Sequence, residues 1–584
     1  MKHIKSCIKT KEWILFAVFV AFMVFQIMLT LRLPEYTKQI TMVIESGQGL
    51  HALVKPGLFM MLSALGSVAC AIVAGFCISR IAAVLCMRLR EALFGKVMSF
   101  SMAEMSTFSA SSLITRCTND ISRIQFFATI GIQVLVQGPV TAIIAILKMR
   151  QHHEWLIVTL ETVAVIIVIH IIIIRIILPR SAKLQKLIDK MNLATREHIT
   201  GMRVVHAYNG YDYQAKQFDQ INDDLTKTNL KISRTTEMVS PILTMANSVL
   251  SLLIYVIGAF MITSAGDAAE KLGVFSDLVV VSSYAMQAVM AFILMMLVFM
   301  EIPRAIVSVN RIAEVLDTEV SIQDGNYSGK ATGELGTIEF RNVSFTYPRG
   351  AKAALSDVSF KVEKGQTMAI IGSTGSGKTT LMNLIPRLYD ATEGSILVDG
   401  VDVKDYKLDE LRSKLGYVPQ KSFLFAGTIA GNINYGERKG FQAVLEDIQE
   451  AAEVGQSKEF IESKKGSYQA RVEEGGANFS GGQRQRLTIS RAICRNPEFY
   501  MFDDSFSALD FKTDAVLRRK LREHAKEATQ LIVGQRIGSI KHADMILVLD
   551  QGHVVGQGRH EDLLKNCAVY REIALSQLSE EEVG

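Results

Sequence analysis

Any sign of cysteine pairing is missing from this chain. Its seven cysteines (Cys7, Cys70, Cys77, Cys86, Cys117, Cys494 and Cys567) are scattered, odd in number and form no C-x-x-C. That excludes a disulfide framework and a zinc site, and leaves buried or membrane-facing thiols. Strong net charge is missing too. A surplus of +5 over 584 residues is too mild for a nucleic-acid binder. A signal-peptide cleavage site is the third absence. Lys2, Lys5, Lys9 and Lys11 lead into an apolar run with no small-residue cleavage motif after it. The run is long enough to cross a bilayer, so it reads as an anchor.

The length implies several domains, and the composition divides in two. The mean hydropathy of +0.24 averages an apolar first half with a soluble α/β second half. Six stretches, near 13–33, 56–86, 129–148, 154–178, 239–264 and 275–302, are apolar enough to span a membrane as helices. Gln133, Gln137 and Pro139 interrupt the third. Lys and Arg are concentrated before the first span and in the connections 87–128 and 179–238, which puts these segments in the cytoplasm. The basic loop Lys148–His153 then faces outside, against that rule. Both connections carry helical spacing (Leu93, Val97, Phe100; Leu184, Leu187, Met191), so the spans are expected to continue into the cytosol. The expected turns lie near Ser109–Thr118 and Asn209–Gln217, with Tyr208, Tyr211 and Tyr213 around the second. These tips either transmit motion to another domain or are plain solvated loops.

Polar groups inside the spans are costly and usually face a cavity or a partner. Glu161 is the strongest substrate candidate. It lies in the fourth span; Gln287 and Met290 join it from the sixth, which also carries Met286, Met295, Met296 and Met300. A polarisable methionine wall suits a permissive cavity, although lipid-facing or packed methionine is the simpler account.

Everything else serves GSTGSGKT, Gly372–Thr379. A buried strand is expected over Met368–Ile371 and a helix over Thr380–Leu384. Gly372, Ser373, Thr374, Gly375, Ser376 and Gly377 form a phosphate loop whose backbone N–H groups converge at a helix N-terminus. Lys378 reaches terminal phosphates, and the Thr379 hydroxyl suits Mg²⁺. The chain therefore binds a nucleoside triphosphate. Upstream, Ile338, Phe340, Val343 and Phe345 read as an antiparallel strand with a slip between Phe340 and Val343. Tyr347 beyond them either stacks on a base or merely ends the strand.

Downstream come Gln420, after Gly416–Pro419, and then Phe479-Ser480-Gly481-Gly482-Gln483 ahead of a helix expected from about Arg484 to Cys494. The latter is a second anion-binding surface, which a second nucleotide or a partner's nucleotide would explain. Phe499–Phe502 read as a buried strand ending in Asp503-Asp504, a carboxylate for Mg²⁺ and a neighbour able to orient water. Ser507–Asp510 follow, and the apolar run Leu531–Val533 ends at Gly534-Gln535.

In this order, after six spans with long extensions, these motifs resemble a bacterial ABC exporter half-transporter, and the likeness covers essentially the whole chain. The fold class expected is a polytopic α-helical membrane domain (1–318), a linker (319–335) and an α/β nucleotide-binding domain (336–584). The resemblance implies ATP and Mg²⁺ as cofactors. It places Tyr347 on adenine, Thr380 and Asp510 in the nucleotide site, Gln420 at Mg²⁺ and in coupling, and Asp503 at Mg²⁺. It also implies that two nucleotide domains pair head to tail, with Ser480, Gly482 and Gln483 facing the partner's ATP.

Two positions depart from the family pattern. The usual glutamate base is Asp504, and the usual switch histidine is Gln535, which cannot carry a proton near neutral pH. A carboxylate displaced by about 1 Å can cost on the order of 10²-fold in rate. A degenerate-site subunit of a heterodimeric exporter of amphiphilic small molecules, in a bacterial inner membrane, is therefore expected. Tolerated drift in a homodimer, a lipid or peptide cargo, and an ATP-gated channel on the same scaffold are the alternatives.

Overall fold

The computed structural model describes residues 8–47, 49–328, 335–436 and 443–577. Lys2, Lys5 and Cys7, and Gly329 and Gly333 of the expected linker, lie outside the described residues, as does the Met300 side chain. The chain divides into two compact units. One holds the residues through Met98 together with Ser111–Asp317, and the other holds Ser99–Ala110 and everything from Thr318.

The first unit, with the short α4 of the second lying between two of its helices in the chain, is helical throughout. Its elements are α1 (Thr10–Thr30), α2 (Leu33–Glu45), α3 (Leu50–Met98), α4 (Met102–Thr107, which belongs to the second unit), α5 (Ala110–Lys148), α6 (His153–Thr200), α7 (Met202–Ala207), α8 (Tyr211–Glu237), α9 (Val239–Ser264) and α10 (Ala268–Asp317). Among the described residues six helical segments are long and apolar enough to cross a membrane, in the order expected. Helix α3 has 49 residues, or about 73 Å at 1.5 Å per residue. That is more than twice the hydrocarbon thickness of about 30 Å, so the spans do run on beyond the bilayer. The third span is helical through Gln133, Gln137 and Pro139, with two π-helical turns at Arg116–Asp120 and Phe127–Gly131. The apolar core includes Phe19, Met23, Ile78, Trp155, Ile254 and Tyr284.

Both expected turns lie too far along the chain. Residues 110–118, assigned to the first, are already helical, and the chain reverses over Ser99–Ser109 around α4. The cause is a capping box. The Ser101 hydroxyl accepts from the Ala103 N–H at 3.1 Å, and the Glu104 carboxylate accepts from the Ser101 N–H at 2.7 Å, so a short helix starts inside the expected connection. The second reversal falls at Gly201–Gly210 around α7, closed by Asn209 at φ +50°, and α8 already begins at Tyr211. Tyr208, Tyr211 and Tyr213 are exposed.

At the base of the same unit a polar knot joins the third and sixth spans. Asp120 Oδ1 accepts from the Ser308 hydroxyl at 2.8 Å, and Asp120 Oδ2 lies 3.3 Å from Arg311. Arg116 reaches the Arg311 carbonyl at 2.5 Å and Glu314 at 2.8 Å. Asp120 and Arg116 are both buried.

The second unit carries two main sheets. β1 (Ile338–Phe345), β2 (Leu355–Val362), β4 (Glu393–Val398) and β5 (Val401–Asp402) form an antiparallel sheet in the order β2-β1-β4-β5. Its register shifts between Phe340 and Val343, where the alternation of the sequence slips. The second sheet has the order β12-β11-β3-β10-β9-β6, from β3 (Thr367–Gly372), β6 (Leu415–Val418), β9 (Phe499–Asp503), β10 (Thr529–Val533), β11 (Met545–Asp550) and β12 (His553–Gly558). All its pairings are parallel except β11–β12. β7 (Gly427–Thr428) and β8 (Arg471–Val472) form a separate ladder. β9 and β10 are buried along their whole length, as a parallel strand covered on both faces must be.

Candidate nucleotide site

In an open parallel sheet, ligands bind at the carboxyl ends of the strands. Here β3, β10, β9 and β6 are neighbours, so their ends bring together Gly372, Gln535, Asp503-Asp504 and Gln420. β3 runs into the phosphate loop, which leads to α11 (Lys378–Leu384). Glycine is required at two of its positions. A Cβ on Gly372 would sit 2.0 Å from the Leu549 carbonyl oxygen. Gly377 has φ +100°, and its Cβ would meet the Ala354 carbonyl at 2.7 Å.

The Lys378 ammonium curls back onto its own loop, 2.8 Å from the Gly372 carbonyl and 2.7 Å from that of Ser373. Burial holds its pKa below the ordinary lysine value, against the pull of Asp504 and Asp503. The Thr379 hydroxyl donates to Asp503 Oδ1 at 3.2 Å. Asp503 Oδ2 is buried with no hydrogen-bond partner among the described residues. A carboxylate oxygen left bare beside a threonine hydroxyl is the donor set for a hard divalent cation such as Mg²⁺, so Thr379 and Asp503 fit that ion. Burial pushes the Asp503 carboxyl upward; the Thr379 hydrogen bond opposes this and the Asp504 charge adds to it.

Asp504 itself stands in left-handed backbone, φ +47°. Its Oδ2 accepts from the Gln535 amide at 2.7 Å, and Gln420 also hydrogen-bonds to its side chain. Burial raises its pKa, and Gln420, Lys378 and Gln535 pull it back in part. Asp504 and Gln535, the two positions that the resemblance marks as departures, are thus bonded to each other. Gln420 stands with them.

Tyr347 lies two residues past β1. Its hydroxyl is 2.9 Å from the Thr380 hydroxyl, and its ring meets Tyr389 edge-on at 5.3 Å. Ser480 is the N-cap of α12 (Gly481–Cys494), which starts at Gly481 and not near Arg484. The Ser480 hydroxyl accepts from the Gln483 N–H at 3.3 Å, while the Gln483 side chain accepts from the Ser480 N–H at 3.1 Å. This reciprocal cap draws both glycines into the helix. Phe479 is buried beneath it, and Asp510 caps α13 (Phe511–His524) by accepting from the Thr513 N–H at 2.9 Å.

Three contributors carried no sequence signal. Gln485 reaches the Asp504 carbonyl at 3.4 Å and accepts from the Ala508 N–H at 3.3 Å. Gln577 accepts from the Ile537 N–H at 2.9 Å and donates to the Gln535 carbonyl at 2.8 Å. Tyr389 is the third. Gln485 and Gln577 bond, and the Tyr389 ring packs on Tyr347, across folds of the chain that no local pattern reveals.

Residues 14–298 match the family described as ABC transporter transmembrane region, and residues 355–507 match the ABC transporter family. An uncharacterised ABC transporter ATP-binding protein of Mycobacterium tuberculosis (strain ATCC 25618 / H37Rv) is 38% identical over 522 residues, 88% of each chain. The chain is an ABC half-transporter. As such it is a multi-pass membrane protein carrying the ATPase domain of an ATP-hydrolysing transporter. An ATP-dependent lipid A-core flippase of Pseudomonas aeruginosa is 33% identical to this half-transporter over 500 residues, 84% of this chain and 80% of the flippase. A solved structure of a bacterial Atm1-family ABC exporter with ATP bound shares the fold, with a TM-score of 0.80 and 24% identity over 97% of this chain and 99% of that one.

The expected substrate residues lie on two helices, α6 and α10. Glu161 is exposed on α6. Gln287 is half-buried, its amide 3.4 Å from the Ser283 hydroxyl, and Met290 is 48% exposed.

Proposed function

We propose that this half-transporter is the degenerate-site subunit of a heterodimeric exporter of amphiphilic small molecules, with residues 1–318 as membrane domain, 319–335 as linker and 336–584 as nucleotide-binding domain. The observation that carries this reading is the 2.7 Å bond from the Gln535 amide to Asp504. A general base must be free to take a proton from water. Here a short carboxylate is capped by an amide that donates and cannot relay a proton. The site is thereby suited to hold nucleotide and to hydrolyse it slowly.

Mg²⁺-bound ATP supplies the transferable phosphoryl group when bound. In this reading Lys378 and the phosphate loop bind its phosphates, Thr379, Asp503 and Gln420 hold the ion, and Tyr347 and Thr380 flank the nucleotide. Asp510 caps the helix behind the site, and Ser480, Gly482 and Gln483 complete the partner's site. Paired closure of the nucleotide domains would reach the membrane through the tips at 99–109 and 201–210, and ATP must favour the closed state strongly to drive it. The N-terminus and the nucleotide domain lie in the cytoplasm. Glu161, Gln287 and Met290 remain the candidate cargo contacts.

The test is ATP hydrolysis by the purified chain in lipid, beside its Asp504→Glu/Gln535→His double variant. The reading expects low activity and a rise on the order of 10²-fold in the variant. Brisk native hydrolysis would replace it with a homodimer competent at both sites, and the likeness to a lipid flippase would then favour a lipid cargo.

A further inference from the structure

The third and sixth spans are tied at both ends, and the two ties differ in kind. The inner one is the buried Arg116–Asp120 knot described above. The outer one also brings in the end of the first span. Pro34 sits at the start of α2 and separates it from α1, so α2 is a distinct outer segment. Glu35 Oε1 on α2 lies 2.5 Å from the Lys148 ammonium at the end of α5, and 3.3 Å from the Tyr284 hydroxyl of α10. That hydroxyl also lies 2.9 Å from the Leu31 carbonyl oxygen. One turn further on, Lys38 pairs with Asp277 of α10.

Exposure decides which tie can open. The side chains of Lys148 and Glu35 are 42% and 39% exposed, and those of Lys38 and Asp277 are 32% and 25% exposed. Such pairs re-solvate readily on separation, and each shifts an equilibrium by about fivefold at most. In the inner knot one member of each pair is buried, Asp120 at 4% beside Arg311 at 38% and Arg116 at 9% beside Glu314 at 59%. Stranding a charge there would cost on the order of a hundredfold or more. Any motion that parts these spans at one end therefore parts them at the outer end.

We propose that Glu35, Lys38, Lys148, Asp277 and Tyr284 form a releasable clasp that holds the outer ends of the first, third and sixth spans together and gates outward opening, while the Arg116–Asp120 knot stays closed. The assignment of this end to the outside rests on the exporter reading above.

The test uses the full chain in intact cells with Ser276→Cys as reporter, since Ser276 is fully buried beside Asp277. Its labelling by a membrane-impermeant maleimide added outside is compared with that of the Lys38→Gln/Lys148→Gln variant and of the charge swap Lys38→Asp/Asp277→Lys. The chain without the reporter serves as blank. In cells depleted of ATP, the neutralised variant should label about tenfold faster, and the swap should label as slowly as the reporter alone. Unchanged labelling in the neutralised variant overturns the clasp. So does fast labelling in the swap, because packing damage and not charge would then be the cause. Reaction only with reagent on the cytoplasmic side refutes the orientation, and the clasp as an outer gate falls with it. In vesicles, clasp-dependent labelling that a non-hydrolysable ATP analogue leaves unmoved supports the clasp and refutes the ATP-driven exporter reading.

Discussion

Asp504 and Gln535 come from the ends of adjacent strands and meet through a single hydrogen bond. Restoring only one of them should recover little, since a glutamate would still face an amide and a histidine would still face a short carboxylate. The single variants Asp504→Glu and Gln535→His are each expected to gain far less than the double, a coupling readable from a double-mutant cycle of ATPase rates. Gly377 poses a different residue-scale question. With φ +100° and a backbone oxygen 2.7 Å from any Cβ, Gly377→Ala forces strain of about 1–3 kcal/mol into the phosphate loop. Nucleotide binding measured by calorimetry should fall sharply, while overall folding by circular dichroism is retained.

Among the elements, α4 shows how a few local bonds place a whole segment. Burial disfavours the Glu104 carboxylate, yet its hydrogen bonds to Ser101 and Ser321 outweigh that and hold its pKa below the ordinary glutamate value. A depressed folded-state pKa stabilises the structure above the unfolded value of about 4.3, and that stability is lost as pH falls through the folded value. Protection of residues 99–107 against hydrogen exchange, taken relative to the intrinsic rate at each pH, should therefore fall on acidification below about pH 4.3, more than in Glu104→Gln. Ser101→Ala should cost about 0.5–2 kcal/mol of local helix stability at any pH, seen in the same exchange experiment. The α4 reversal also explains why the expected turn fell too late. Apolar spacing continues across Leu93, Val97 and Phe100, whereas the stop and restart are written in the polar pair Ser101 and Glu104, a weaker signal than the helical repeat around it.

At the scale of the whole molecule, the proposed asymmetry between two subunits can be tested. A degenerate subunit whose signature is intact should matter more to its partner's hydrolysis than to its own. Ser480→Arg in this chain should then abolish ATPase activity of the reconstituted pair while leaving this chain's nucleotide binding unchanged. In a symmetric homodimer the same substitution would remove hydrolysis at both sites, and Asp504→Asn would abolish what activity the chain has. Measuring both substitutions in one preparation separates the two assemblies.

The phosphate loop, the signature at Ser480, the aspartate pair and the six spans were all legible in order along the chain. Each rests on interactions within a few residues: a strand-to-helix turn that needs glycine, a serine that caps its own helix, an apolar run long enough for a bilayer. The sequence by itself therefore determined the family, the nucleotide chemistry and the membrane character. Tertiary structure alone decided which distant groups meet. It set β10 between β3 and β9, so that Gln535 caps Asp504. It brought Gln577 under Gln535 from 42 residues away. It joined Glu35 to Lys148 across 113 residues and Lys38 to Asp277 across 239. Propensity and periodicity act over one or two turns, whereas pairing across such separations is set by strand order and helix packing, which depend on burial summed over the whole unit.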